Sequence, residues 1–202
     1  STAGAYYEIA TPWVAPNDYS VEFYVYFIGD AIRVFGNTSG YNGRVFVFYD
    51  GSINWRPSTS SSVGIDTPAG SIPIHKLSLI KVSRVGSTGV ISVNGASVAT
   101  GSVETGDLSI DGLGVHGDIT LGGLISDVKL TDLATPANSL EFGLDNLTGN
   151  TEINNGVTLN YIQIAETIDV RDTYTVVDGS YLGSELVVNG DFATDSDWSK
   201  IQ

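Results

Sequence analysis

Cysteine and methionine are both absent from the 202 residues, and Lys plus Arg reach only 9 against 23 Asp plus Glu. Without cysteine there is no disulfide, no thiolate nucleophile and no thiolate metal site, so the redox compartment stays open. The net charge of −14 repels phosphate backbones and anionic lipid heads, which excludes nucleic acid as an expected partner. No apolar run approaches the ~20 residues of a bilayer-spanning helix, and no charged-then-apolar leader opens the chain, so no membrane insertion is expected. A chain that opens on Ser1 and holds no methionine is expected to be processed or, the reading we favour, cut from a longer polypeptide. Helical periodicity is hard to find anywhere.

What is present is punctuation: 24 glycines at the spacing of short strands and turns. From Tyr19 to Phe27 the residues alternate, with Val21, Phe23, Val25 and Phe27 on one face and Ser20, Glu22, Tyr24 and Tyr26 on the other. Asn94-Gly95, between Val90–Val93 and Ala96–Ala99, predicts a type I′ hairpin, because both central positions need positive φ. Asp50-Gly51 predicts a second hairpin joining Arg44–Tyr49 to Ser52–Arg56. Residues 57–70, rich in Ser, Thr, Gly and Pro, read as an irregular surface loop. An all-β chain follows, in which two antiparallel sheets bury the Val21–Phe27 stripe against Leu77, Leu79, Ile91, Val93, Val128 and Leu130. The run Leu77–Val82 carries apolar residues on both faces, which fits either a central strand or a bulge.

The order of a His-Lys-Leu strand at residue 75, a Gly turn, the Val-Asn-Gly hairpin, Asp111-Gly112-Leu113-Gly114 and the strand Gly123–Leu130 resembles the laminin G-like, concanavalin A-like β-sandwich over roughly Tyr6–Asp132. The fold this implies is an antiparallel two-sheet jelly-roll sandwich over residues 1–135. A connecting region with short strands follows over 136–183, as a C-terminal β-containing extension. From Ser184 the run Glu185–Trp198, with Asn189-Gly190-Asp191-Phe192 before the Trp, resembles the opening strand of a galactose-binding-like, carbohydrate-binding-module jelly roll, truncated at 202. The same wording is similar to that of modular tail proteins of tailed phages and prophages, where it follows a laminin G-like domain.

A catalytic set is not expected. Glycosidases on such sandwiches need two facing carboxylates, and the nearest candidates, Glu141 and Asp145, flank Gly143, which breaks the alternation. His75 and His116 are the two histidines, and no Gly-x-Ser-x-Gly elbow accompanies them. No resident cofactor is expected. Some laminin G-like domains bind one calcium ion at the sandwich rim, where hard oxygen ligands suit it; Asp30, Asp50, Asp107, Asp111 and Asp118 are rim candidates, Asp30 and Asp111 foremost. Ordinary Asp turns explain the same residues. Sugar rings stack on Trp or Tyr while Asn, Asp and Arg bond their hydroxyls. Trp55 and Arg56, with Tyr41 and Asn42 on the preceding turn, are the candidate glycan platform, and outward-alternating Tyr24 and Tyr26 a second. Trp13 and Trp198 read as anchors of their own strands.

The resemblance therefore implies a virion structural or adhesion protein on the particle surface, part of a tail fibre, tail tip or similar appendage. Its sandwich would be a spacer or a module for host cell-surface glycan, its partners other virion proteins and further copies of itself. Two alternatives stand beside it: a capsid decoration or tail-surface protein making only protein contacts, and the binding module of a secreted glycan-active bacterial enzyme.

Overall fold

Strict alternation in β2 (Tyr19–Phe27) sends Val21, Phe23, Val25 and Phe27 inward with no exposure, while Glu22, Tyr24 and Tyr26 stay half-buried on the other face. In this computed structural model the described residues are 5–29, 31–37, 43–58, 63–114, 123–144 and 151–163, all within a compact unit of residues 1–166. They form two antiparallel sheets and no α-helix. The six-stranded sheet runs β12 (Leu140–Phe142), β11 (Gly123–Asp132), β2, β7 (Lys76–Val85), β8 (Thr88–Val93), β9 (Ala96–Ser102). The eight-stranded sheet runs β13 (Thr151–Asn154), β14 (Val157–Gln163), β1 (Ala5–Ala15), β10 (Leu108–Gly114), β3 (Ile32–Gly36), β4 (Arg44–Val47), β5 (Ile53–Arg56), β6 (Ile65–Asp66).

The core differs from the expected one in two respects. Ile91, Val93, Val128 and Leu130 are buried as expected, but they sit on β8 and β11, in the same sheet as β2. The opposing layer comes from β3, β4, β5 and β10, through Ile32, Phe35, Val45, Val47, Ile53, Trp55, Leu108 and Ile110. Leu77 and Leu79 are not core. In β7 the inward residues are Ser78, Ile80, Val82 and Arg84, so Leu77, at 60% exposure, and the half-buried Leu79 face outward beside Tyr26 and Tyr24.

Residues 136–163 also depart from the expected connecting region. β12 pairs with β11, and β14 pairs with β1 from Ala5↔Gln163 to Ile9↔Leu159, so these strands are part of the sandwich. Pairing there is non-local, which composition does not report. Residues 184–202 lie outside the described residues.

Both expected hairpins form, by different turns. Asn94 and Gly95 take φ of 51° and 82°, as a type I′ turn requires. Asn94 also ties the turn to β7: its amide donates to the Leu79 carbonyl, and its Oδ1 accepts from the Leu79 amide. At Asp50-Gly51 only Gly51 has positive φ, 74°. The Gly51 amide donates to the Phe48 carbonyl and the Phe48 amide to the Ser52 carbonyl, a type I turn closed by a glycine bulge. A Cβ on Gly51 would lie 2.4 Å from the Ile72 carbonyl oxygen, so glycine is required for space as well.

The Asp50 carboxylate accepts from the Ser52 hydroxyl at 2.7 Å and the Ser52 amide at 2.9 Å, which hold its pKa below the ordinary 3.8. Stability from a lowered carboxyl is present above the unfolded pKa and fades as pH falls through the folded one. A chemical-shift titration of Asp50 is expected to give a midpoint below 3.8, moved back toward 3.8 by Ser52→Ala. An unchanged midpoint in that variant would refute the Ser52 hydroxyl as the main cause.

Candidate functional site

The pleat that points Val45, Val47, Ile53 and Trp55 inward must point their neighbours outward, onto the outer face of the eight-stranded sheet. Register aligns Arg33, Phe46, Asn54 and Asp66 in one row across β3, β4, β5 and β6, with Arg44 opposite Arg56 in the adjoining row. Three of the five arginines in the chain thus gather on one patch. The row is recessed: Arg33, Phe46 and Asn54 are 5%, 8% and 5% exposed, although they point away from the inter-sheet core.

Hydrogen bonds and ion pairs order this patch. The Asn54 amide donates to the Asp66 carboxylate, which also lies 3.6 Å from the Arg56 guanidinium. The Asn54 Oδ1 is buried and accepts no hydrogen bond. Arg44 stands over the Phe46 ring at 5.9 Å, and Phe46 meets Phe48 at 4.8 Å between centroids. Charged donors therefore flank a partly exposed aromatic surface, a set able to bond hydroxyl or carboxylate oxygens beside an apolar face.

Of the expected glycan platform, Arg56 lies here and Trp55 does not. Trp55 is wholly buried, and its ring packs edge-on against Tyr19 at 6.4 Å. Trp55 and Arg56 are consecutive on a strand, and consecutive residues point to opposite faces, so one strand cannot offer both to the same ligand. Tyr41, Asn42 and Asp30 lie outside the described residues. Asp111 is half-buried on β10, and among the described residues no three His, Cys, Asp or Glu side chains gather as metal ligands. Glu141 is paired with Lys129 at 3.6 Å, and Asp145 lies outside the described residues. Arg33, Arg44, Asn54 and Phe46 escaped sequence reasoning. Their signal was the alternation of Arg44–Val47 and Ile53–Arg56, which puts Arg44, Phe46, Asn54 and Arg56 on the face opposite the valines.

A concavity of about 310 Å³ opens beside β1, away from the arginine patch, lined by Thr11, Pro12, Val14, Asn138, Leu140 and Asn155 among others. The register between β1 and β10 slips between Glu8 and Trp13, and Pro12, which cannot donate to a ladder, lies within that slip. Its polar wall is already committed. The Asn138 amide donates to the buried Asp132 carboxylate at 3.2 Å, and the Asn155 amide to the Ala137 carbonyl at 2.8 Å. Trp13 anchors its strand as expected, its indole donating to the Asn138 carbonyl at 2.8 Å.

No family model matches the chain, and no curated protein sequence is significantly similar to it. Solved structures are similar in fold. A proposed carbohydrate-binding protein from Bacteroides ovatus has a TM-score of 0.50 at 10% identity, covering 80% of this chain and 58% of that one. A heptameric SAP-like pentraxin from Limulus polyphemus has a TM-score of 0.47 at 17% identity, over 65% of this chain and 71% of that one. Sheep galectin-11 has a TM-score of 0.41 at 12% identity, over 64% of this chain and 99% of that one. The chain spans little more than half of the Bacteroides protein, and at such identities the likeness is one of fold. It is an antiparallel two-sheet jelly-roll sandwich.

Proposed function

We propose that this sandwich is a carbohydrate-binding module that takes glycan on the outer face of its eight-stranded sheet. The observation that carries the reading is the Arg44–Arg56 pair beside Asn54, Asp66 and the Phe46–Phe48 surface. Planar guanidinium groups bond sugar oxygens in fixed directions while an aromatic face receives ring C–H groups. The name of the Bacteroides neighbour supports the same class of ligand. Binding, with no bond made or broken, is the activity proposed.

We place the module in a virion appendage, a tail fibre or tail tip facing host glycan, on the strength of the sequence resemblance alone. Other virion proteins and further copies of the chain are its proposed partners. Antibody against the chain should then label particle tails in electron micrographs; label confined to host envelopes would overturn the setting and leave the binding reading intact.

For the binding itself, a glycan array followed by calorimetry on the strongest ligand is the test. Arg56→Ala and Arg44→Ala are each expected to weaken binding about tenfold or more, the loss of one charge-assisted hydrogen bond. Arg56→Ala should melt close to the native protein, because its partner Asp66 is 66% exposed and such an ion pair adds little stability. An array with no ligand, or affinities untouched by both substitutions, would reject the site.

A further inference from the structure

We infer that the outer face of the six-stranded sheet is a self-association surface whose occupant is a second copy of this chain. Cross-strand register sets Glu141, Lys129, Glu22 and Lys81 in one outward row over β12, β11, β2 and β7. The row alternates negative, positive, negative, positive. Within the chain Lys129 pairs with Glu141 at 3.6 Å and Lys81 with Glu22 at 2.9 Å, and all four side chains keep solvent exposure.

A second row on the same face is apolar: Leu124, Tyr26 and Leu77 over β11, β2 and β7, with Leu124 at 72% exposure. Tyr24 and Leu79 lie between the two rows. A bulge in β11 at Asp127, whose φ is 48°, is what allows this: Leu124 and Lys129 are five positions apart and would point to opposite faces in a regular strand, and the extra residue of the bulge returns them to the same one. Monomers seldom leave such a patch bare, and its polar margin is the mark of a protein contact.

Charge order identifies the partner. Two copies packed face to face about a two-fold axis parallel to the strands present each row to itself reversed, which is the isologous arrangement. Reversed, the charged row reads positive, negative, positive, negative, so every charge meets its opposite: Glu141 faces Lys81 of the second copy, and Lys129 faces its Glu22. About the same axis, which lies between β11 and β2, the apolar row meets itself too, Leu124 on Tyr26 of the second copy and Tyr26 on its Leu124. A two-fold axis across the strands would not pair the rows with themselves and would lose both matches. Complementary charge also offsets the repulsion expected between two chains of −14. The outer face of the eight-stranded sheet stays free, so this inference does not depend on glycan binding.

Sedimentation equilibrium of the native chain over a wide concentration range is the test. It should show a monomer–dimer equilibrium. Lys129→Glu and Glu22→Lys should each weaken the dimer about tenfold or more, because symmetry repeats the new like-charge contact twice. Mixed in equal amounts, the two variants should associate with each other nearly as well as native chains do, since Glu at 129 of one then meets Lys at 22 of the other, and Glu22 of the first meets Lys129 of the second. Leu124→Ser, at an exposed position, should weaken the dimer with the fold intact by circular dichroism. A native chain that stays monomeric, or single charge reversals that dimerise like the native chain, or a mixture no better than its components, would overturn the proposal.

Discussion

Trp55→Ala is expected to cost about 3–5 kcal/mol of folding stability, the range for emptying a buried aromatic site. At 2–4 °C per kcal/mol for a chain of this size, the unfolding midpoint should fall by about 10 °C. The ring has no exposure and stands between the sheets, edge-on to Tyr19, which in turn meets Trp13 edge-on at 6.3 Å. On the opposite strand β8, Gly89 makes its room: a Cβ there would fall 2.8 Å from the Trp55 ring and 2.7 Å from Ile65. Gly89→Val should therefore destabilise as well, by overfilling where Trp55→Ala underfills, at about 1–3 kcal/mol. Thermal unfolding followed by circular dichroism distinguishes this from a sugar platform, whose loss would abolish glycan binding and leave the midpoint unchanged.

Arg84→Met should lower the midpoint by a comparable amount, for an electrostatic reason. Arg84 is 1% exposed, and its described partners are carbonyl oxygens: those of Pro57, Gly106 and Asn17, with the Tyr19 ring 4.8 Å below the guanidinium. One cation thus pins three chain segments, and the Tyr19 hydroxyl donates to the same Pro57 carbonyl. Methionine fills similar volume but leaves those carbonyls without their charged donor, at roughly 1.5–3 kcal/mol for each charge-assisted bond lost. Relief of the desolvation penalty of a buried charge offsets part of that, for a net cost of about 3 kcal/mol. Burial pushes the Tyr19 hydroxyl well above the ordinary tyrosine range, and Arg84 opposes the shift, so Arg84→Met should keep Tyr19 protonated to still higher pH. A midpoint that rises instead would show that desolvation outweighs the bonds.

Arg84 also shows where sequence reading stops. Its alternation within Lys76–Val85 places it inward beside Ile80 and Val82, yet a charged residue in such a position reads as a reason to doubt the parity. Ambiguity at Leu77–Val82 had another origin, because Leu77 and Leu79 face out while Ile80 and Val82 face in, which puts apolar residues on both faces. The acceptors that make a buried Arg84 tolerable come from Asn17, Pro57 and Gly106, far apart in the chain. Likewise Trp55 reads as a platform beside Arg56 only while its face is unknown.

Local chemistry was enough for the β2 stripe, the Asn94-Gly95 turn, the two-sheet all-β class and the exclusion of thiol chemistry, since each depends on residues within a few positions of one another. Which strands are neighbours, that β14 closes against β1, that three arginines share one face, and that Glu141, Lys129, Glu22 and Lys81 form a row were decided by tertiary structure. Register across a sheet joins residues as far apart as Glu22 and Glu141, and a single bulge residue reverses which face a strand offers.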